Sequence, residues 1–185
     1  TSLPPPGTGT VTLVGDSVML GSAPDILTAF GDRANVDAAV ARQASELGPI
    51  IRQLDTDGRL GSRVVVQVGI NGTVTEEDLR AIVDATGGRP TFIINARVPR
   101  SWEEGNNAAV ATVVPRLPEA KVIDWYTAAD GHREWFLSDG VHLTPEGPLA
   151  KARGILRVTA LNEKLEPLAE RIVMRNRRTG LDVKV

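Results

Sequence analysis

Short apolar runs alternate with amphipathic stretches along most of the chain, a pattern typical of parallel α/β proteins. Five apolar runs predict strands at residues 11–14, 36–40, 63–68, 91–95 and 122–125. A first helix is predicted over 18–30, and helical spacing gives three further apolar faces: Leu47, Ile50, Ile51 and Leu54; Leu79, Ile82 and Val83; Val110, Val113, Val114 and Leu117. The alternation predicts a three-layer α/β/α fold in which a parallel sheet of about five strands carries helices on both faces.

The two ends of the chain have a different character from this alternating region. Residues 1–10, TSLPPPGTGT, have the composition of a stiff then flexible linker. Thr144 and Pro145 predict the start of a helix near Glu146, and the folded domain is predicted over 11–160. Residues 161–185 predict a helical extension, interrupted by Pro167, and a basic tail whose charges face solvent or contact a membrane or partner.

Composition and charge exclude several classes of function. The chain has 185 residues, 42% of them hydrophobic, and its 21 basic against 23 acidic residues give a net charge of −2. This balance provides no bulk attraction to nucleic acid, so we expect no nucleic-acid partner. The absence of Cys and the presence of only two His, His132 and His142, lead us to expect neither a metal site nor a cofactor. No stretch reaches the roughly 20 apolar residues of a membrane span. The start lacks Met and a signal peptide, so we expect a mature or excised fragment.

Two short motifs carry the candidate chemistry. Ser17 follows Gly15 and Asp16 where the first strand turns into a helix, so it is either a helix N-cap or an exposed nucleophile. Asp139 and His142 lie three positions apart before the last predicted helix, a spacing that lets the carboxylate reach the imidazole. A histidine held by a carboxylate is the base that a serine nucleophile needs. Because both motifs follow strand ends, we expect them at the same edge of the sheet.

These motifs resemble those of the SGNH (GDSL-type) hydrolase superfamily, whose first block is Gly-Asp-Ser and whose last is Asp-x-x-His. Between them, Gly69-Ile70-Asn71-Gly72 is similar to the Gly-x-Asn block, although Gly72 replaces the usual Asp. Ala41 stands where the second block has Gly. Further segments, Ala41-Arg42-Gln43, Asn95-Ala96-Arg97-Val98-Pro99-Arg100 with Trp102, and Ile123-Asp124-Trp125-Tyr126, resemble the extracytoplasmic SGNH domain of OatA-type peptidoglycan O-acetyltransferases.

The resemblance implies a flavodoxin-like SGNH fold and a set of roles. Ser17 is implied to be the nucleophile, His142 its general base and Asp139 the residue that orients the imidazole. The Ser17 amide, the Asn71 side chain and the Ala41 backbone are implied to form the oxyanion hole.

Other side chains are candidates for binding the substrate. Arg42, Arg97 and Trp102 are the chosen candidates, and Arg97 and Arg100 either bind a carboxylate or order their loop. Trp102 and Trp135 are expected in loops near the site, where they stack on a sugar ring or pack, whereas Trp125 is expected to pack in the core. His132 is expected at the surface.

We therefore expect a serine O-acetyltransferase that uses an acetyl donor and acts on a cell-envelope glycan, with peptidoglycan as the expected acceptor. The resemblance implies an N-terminal membrane acyltransferase domain and a tether before Thr1 that holds this domain at the extracytoplasmic face of a bacterial membrane. The alternatives are an esterase or deacetylase with the same triad, an envelope glycolipid as acceptor, and a non-catalytic carbohydrate-binding domain.

Overall fold

The computed structural model describes residues 10–145 and the backbone of two short segments, 173–175 and 182–184. The strands of the described domain are β1 Val11–Gly15, β2 Ala34–Ala38, β3 Arg63–Gln67, β4 Thr91–Ile94 and β5 Ala120–Ile123. The helices are α1 Ser17–Phe30, α2 Ala44–Thr56, α3 Glu76–Ala85, α4 Glu103–Val113 and α5 Trp125–Ala128, with 3-10 turns at Gly31–Arg33, Val114–Arg116 and Arg133–Trp135.

The five strands form one parallel sheet in the order β2-β1-β3-β4-β5, which confirms the predicted sheet. Successive strand residues point to opposite faces. Val64 and Val66 therefore pack in a core with α2, α3 and α4, whereas Val65 packs in a second core with α1 and α5. Helices cover both faces of the sheet, and the three-layer prediction is confirmed.

Local sequence explains the helices well. Thr75 accepts a hydrogen bond from the Asp78 amide while the Asp78 carboxylate accepts from the Thr75 amide, and this capping box starts α3. Acidic residues Glu103 and Glu104 lie in the first turn of α4, where their negative charges interact favourably with the positive end of the helix dipole. The predicted apolar faces of α2, α3 and α4 pack in the core.

The predicted position of the second strand is wrong by two residues. β2 begins at Ala34, which pairs with Val11, and it ends at Ala38. Val40, predicted to close this strand, is 72% exposed in the turn that follows. An apolar run alone does not determine where an edge strand starts, because its neighbour in the sheet sets the register.

Most of the predicted terminal segments lie outside the described residues. They are residues 1–9, the helix predicted near Glu146 and the apolar face predicted over 161–172. Within the predicted tail, β6 Val173–Arg175 and β7 Asp182–Lys184 pair as antiparallel strands. The described helices include none that is long and apolar enough to cross a lipid bilayer.

Candidate active site

Ser17, His142 and Asp139 form a continuous chain of hydrogen bonds at the carboxyl edge of the sheet. The Ser17 Oγ lies 3.1 Å from the Nε2 of His142. On the other side of the ring, the Nδ1 of His142 lies 2.7 Å from the Oδ2 of Asp139. Both distances are within reach for proton transfer through the imidazole.

Ser17 is the first residue of α1 and does not cap it. The N-cap is Asp16, whose buried carboxylate accepts a hydrogen bond from the Val18 amide at 2.9 Å. Capping by Asp16 leaves the Ser17 hydroxyl free to contact the imidazole. The turn is tight as well, because a Cβ built on Gly15 would lie 2.5 Å from the Cβ of Met19. Of the two roles that the sequence left open for Ser17, the structure excludes the N-cap.

Asp139 holds the histidine loop together as well as the imidazole. Its Oδ1 accepts hydrogen bonds from the amides of Val141 and His142, and its Oδ2 faces the ring. Phe136 and Leu143 form a bridge at the base of the loop. The geometry of this loop therefore places the carboxylate and the imidazole together before any substrate binds.

The charge on Asp139 determines the tautomer of His142. The hydrogen bond from the imidazole, assisted by those from the two amides, lowers the pKa of Asp139 to about 2, so the carboxylate is ionised at neutral pH and can only accept. The Nδ1 of a neutral His142 therefore carries the hydrogen, and its Nε2 lone pair faces the Ser17 hydroxyl. This is the tautomer that a general base for serine requires.

We expect the titration of Asp139 to depend on His142. A carbon-13 NMR titration of the Asp139 carboxyl should have a midpoint of about 2. In His142→Ala the midpoint should rise toward the ordinary aspartate value of about 3.9, because the largest cause of the shift is gone. A depressed folded-state pKa stabilises the fold above the ordinary value, and this contribution is lost as the pH falls toward 2. An unchanged midpoint in His142→Ala would contradict this account.

Asn71 lies in the loop after β3 and faces the same cleft. Its Nδ2 donates to the carbonyl of Arg42 at 3.3 Å, which uses one of the two amide hydrogens and leaves the other. As the first residue of α1, Ser17 has a backbone amide with no intrahelical acceptor. Two donors are thus available beside the Ser17 hydroxyl, where an oxyanion would develop.

These residues line an open cleft of about 250 Å³. The walls are Ser17, Ile70, Asn71, Val98, Arg100, Trp102, Asp139, Val141 and His142. Beneath it lies a small apolar cluster that includes Val18, Ile70, Ala96, Val98 and Val141. This cluster joins the loops that follow β1, β3, β4 and β5, so the site is one packed unit.

Trp102 is the one aromatic residue among the described cleft walls. It packs against the apolar cluster below the cleft, and its indole nitrogen is buried with no acceptor among the described residues. Trp125 packs in the core as predicted. Trp135, predicted near the site, instead stacks on Trp125 and on His132 at 3.8 Å from the imidazole, so neither Trp135 nor His132 has the position expected for it. Trp135 packs against the apolar core on the face of the sheet that α1 and α5 cover, and it is not among the described residues that line the cleft.

Two of the three predicted substrate-binding residues have other partners. The Arg42 side chain is only 12% exposed, pairs with Asp37 at 2.8 Å and donates to the carbonyls of Gly15 and Asp37. Arg97 lies over the Tyr126 ring at 4.8 Å and reaches Asp130 at 3.5 Å. Neither arginine is among the described residues that line the cleft, and their roles in binding the substrate stay predictions. Arg100, which the sequence offered for binding a carboxylate, lines the cleft.

Ala41 adopts a left-handed backbone conformation with a φ of 62°. A glycine adopts this conformation without strain, and an alanine at a cost of about 1–3 kcal/mol. The turn therefore has the shape that a glycine would give it. Ala41 is not among the described residues that line the cleft, and its contribution to an oxyanion hole stays a prediction.

Asn106 and Asn107 of α4 were not identified from the sequence. Asn106 is 3% exposed and contacts the loop that carries Asn71, and Asn107 contacts the backbone of Ala96. The run Glu103-Glu104-Gly105-Asn106-Asn107 contains no large apolar residue that would indicate a buried position. The available signal was the poor fit of asparagine to a helix interior, which indicates a side chain bonded to backbone outside the helix.

Comparison with known proteins agrees with the fold and the site. The chain is 33% identical over 139 residues to the O-acetyltransferase OatA of Staphylococcus aureus strain NCTC 8325 / PS 47, a match that covers 75% of this chain and 23% of that protein. The chain thus spans about a quarter of the length of this relative. No model of a known protein family matches.

Two solved structures share the fold. The C-terminal catalytic domain of peptidoglycan O-acetyltransferase A from Streptococcus pneumoniae, solved with a methylsulfonyl adduct, superposes with a TM-score of 0.71 at 22% identity over 83% of this chain and 92% of that one. A GDSL-like lipase from Bacteroides thetaiotaomicron VPI-5482 superposes with a TM-score of 0.60 at 15% identity, over 84% and 89% of the two chains. The chain therefore shares the fold of the SGNH (GDSL-type) hydrolases and is a homologue of the OatA O-acetyltransferases.

Proposed function

We propose that this chain is the catalytic domain of a serine O-acetyltransferase that transfers acetyl groups to a cell-envelope glycan, peptidoglycan in particular. The observation that carries the proposal is the chain of hydrogen bonds from Ser17 through His142 to Asp139, at an open cleft in a homologue of OatA. The intact triad argues against a non-catalytic carbohydrate-binding domain.

The proposed reaction has two steps. The Ser17 Oγ attacks the carbonyl carbon of an acetyl donor while the Nε2 of His142 takes the hydroxyl proton, and the Ser17 amide and Asn71 stabilise the oxyanion. Collapse of this intermediate transfers the proton to the leaving group and leaves acetyl-Ser17. An acceptor hydroxyl, deprotonated by His142, then attacks the acetyl carbon. As the bond between this carbon and the Ser17 Oγ breaks, His142 returns the proton to the Oγ, and the product ester and free Ser17 result.

The cleft offers complementary surfaces to a glycan acceptor. Trp102 provides an aromatic wall of the cleft that the triad also lines, and a sugar ring can stack on such a surface. Arg100 lines the same cleft and donates to the Pro99 carbonyl at 3.1 Å. It forms no ion pair with the other described residues, so its charge is available for a carboxylate of the acceptor. Muropeptides carry such carboxylates, and neutral chitooligosaccharides do not.

The location and tethering of the domain belong to the same proposal. The S. aureus relative is about four times as long as the matched region, since this chain covers 23% of it. We propose that a membrane acyltransferase domain precedes Thr1 and supplies the acetyl donor, and that the linker at 1–10 holds the catalytic domain at the extracytoplasmic face of the membrane.

A hydrolase with the same triad is the second candidate. The His142 and Asp139 side chains are 46% and 45% exposed, so water can approach the acyl-enzyme. Transfer and hydrolysis differ only in which hydroxyl attacks, and an esterase or deacetylase would use every residue named above. An envelope glycolipid is the alternative acceptor.

We expect transfer to depend on Trp102. With an aryl acetate donor and a muropeptide acceptor, the chain should form acetylated glycan, because a bound acceptor hydroxyl has a large effective concentration over the acyl carbon. Trp102→Ala should reduce the ratio of transfer to hydrolysis about tenfold, equivalent to roughly 1.4 kcal/mol of lost acceptor binding. Mass spectrometry of the glycan and release of the aryl group measure the two rates.

Tyr126→Ala is the matched control, because Tyr126 is an exposed aromatic residue under Arg97 and outside the described walls of the cleft. It should leave the ratio unchanged. If acceptor panels that include chitooligosaccharides and glycolipids are never acetylated while acetate is released at an unchanged rate, the esterase replaces the transferase. An acceptor found only among the glycolipids would change the substrate and keep the mechanism.

A further inference from the structure

Two of the loops that line the cleft are tied to one helix. The loop after β3 carries Asn71, and the loop after β4 carries Val98, Arg100 and Trp102. Each loop is hydrogen bonded to a different asparagine in the middle of α4. The two asparagines are adjacent in sequence, and their side chains reach different loops.

Asn106 holds the loop after β3 on both sides of Asn71. Its Nδ2 donates to the carbonyl of Gly69 at 3.2 Å and to that of Gly72 at 2.7 Å, and its Oδ1 accepts from the Val74 amide at 2.8 Å. An asparagine amide has two hydrogens to donate and one oxygen to accept with, so all of its polar groups are used on this loop.

The loop is shaped to fit against Asn106. Gly69 has a φ of 88°, and a Cβ built on it would lie 3.0 Å from the Nδ2 of Asn106. A side chain at this position would separate the loop from the amide that holds it. Asn106 is 3% exposed, so water does not readily replace these hydrogen bonds.

Asn107 holds the root of the loop after β4. Its Oδ1 accepts from the Ala96 amide at 3.0 Å, and its Nδ2 donates to the Ala96 carbonyl at 2.9 Å. A second tie comes from Glu103 of α4, whose carboxylate accepts from the Val98 amide at 2.5 Å. The backbone that leads to Arg100 and Trp102 is therefore held at two points before it enters the cleft.

We infer that Asn106 and Asn107 are positioning residues that separately set the oxyanion side and the acceptor side of the cleft. This inference rests on the proposed function. Asn106 acts through Asn71 and so affects the stabilisation of charge in both steps. Asn107 acts through the 96–102 loop and so affects the acceptor alone. Displacement of about 1 Å by a change remote from the chemistry can cost on the order of 100-fold in rate.

Matched substitutions of the two neighbours test the inference. Asn106→Ser should lower the kcat of aryl acetate hydrolysis about tenfold or more with KM nearly unchanged, because an oxyanion donor acts mainly in the transition state. Asn107→Ser should keep the hydrolytic kcat within about twofold and reduce the ratio of transfer to hydrolysis. The same replacement at adjacent positions should therefore change two different quantities, the hydrolytic kcat for Asn106 and the ratio of transfer to hydrolysis for Asn107.

A double-substitution cycle adds a readout that general destabilisation does not produce. Asn106→Ser should slow the Asn71→Ala variant little further, because the group that it positions is already absent, whereas Asn107→Ser should act on transfer independently of Asn71→Ala. Titration with a serine-directed phosphonate counts the folded sites in each sample. If Asn106→Ser folds poorly, Asn106→Asp is the second variant, because it keeps the size of the side chain and an oxygen that accepts from the Val74 amide.

Each outcome distinguishes this inference from the proposed function. Three results would overturn the inference: an unchanged kcat per titrated site in the Asn106 variants, additive effects of Asn106→Ser and Asn71→Ala, or the same kinetic change from substitution of either asparagine. In each case, turnover by the wild-type chain would leave the proposed function in place. If the wild-type chain neither hydrolyses aryl acetates nor reacts with the phosphonate at Ser17, the proposed function fails, and the inference fails with it.

Discussion

Ser17→Ala is expected to reduce turnover of an aryl acetate by roughly 10⁴-fold or more, and the oxyanion donors that remain account for the residual rate. The substitution removes the atom that would form the acetyl ester, and the His142 Nε2, 3.1 Å away, then has no hydroxyl to deprotonate. Mass spectrometry of the wild-type chain treated with a sulfonyl fluoride should locate the adduct on Ser17.

The fold of Ser17→Ala should be intact, and the structure gives the reason. Asp16 caps α1, so the substitution removes no cap, and alanine is a good residue for the first turn of a helix. A serine cap would instead lose about 0.5–2 kcal/mol when replaced by alanine. The melting temperature therefore tests the assignment of Asp16 as the cap independently of activity.

Ser45→Ala provides a matched control, because Ser45 is an exposed serine in the first turn of α2. It should keep full activity and full labelling at Ser17. Labelling at a different serine, or wild-type turnover in Ser17→Ala, would refute the proposed nucleophile.

Asn71→Ala should lower kcat roughly 100-fold or more with little change in KM. Asn71 lines the cleft with Ser17 and has one amide hydrogen that the Arg42 carbonyl does not use. As an oxyanion donor, this group would gain strength only as the carbonyl oxygen of the acetyl donor becomes charged. Asn71→Asp should be at least as slow, since the carboxylate places negative charge beside the oxyanion. Steady-state kinetics on an aryl acetate separate the two constants.

Thr73→Ala, an exposed change in the same loop, should leave kcat within about twofold of the wild-type value. A rise in KM at constant kcat in Asn71→Ala would place Asn71 among the groups that bind the substrate equally in both states. The oxyanion hole would then need a different side chain.

Local patterns were sufficient for most of the fold. The apolar faces of α2, α3 and α4 follow from residues within one or two turns, and these predictions are confirmed. The capping box that starts α3 is equally local. The second strand shows the limit, since its start at Ala34 depends on pairing with β1. Strand register is a non-local property, and the local sequence near an edge strand does not contain it.

Motifs located the candidate reacting groups but not the groups around them. Ser17, Asp139 and His142 were recognisable because each motif is short and its chemistry requires those residue types. The partners of long polar side chains were not predicted. Arg42 and Arg97, predicted to bind the substrate, form ion pairs with Asp37 and Asp130. The position of an arginine head group depends on which acids and carbonyls lie within its reach, and those come from distant parts of the chain.

The sequence by itself determined the class of the fold, the order of its elements and the identity of the candidate nucleophile and base. Periodicity and short motifs carry that information because they act over neighbouring residues. Only the tertiary structure decided that Asp16 caps α1, that Arg100 lines the cleft and that Asn106 and Asn107 hold two of the loops that line it. These contacts join residues more than ten positions apart in most cases, and a buried polar group takes whichever backbone partner the completed fold brings within hydrogen-bond distance.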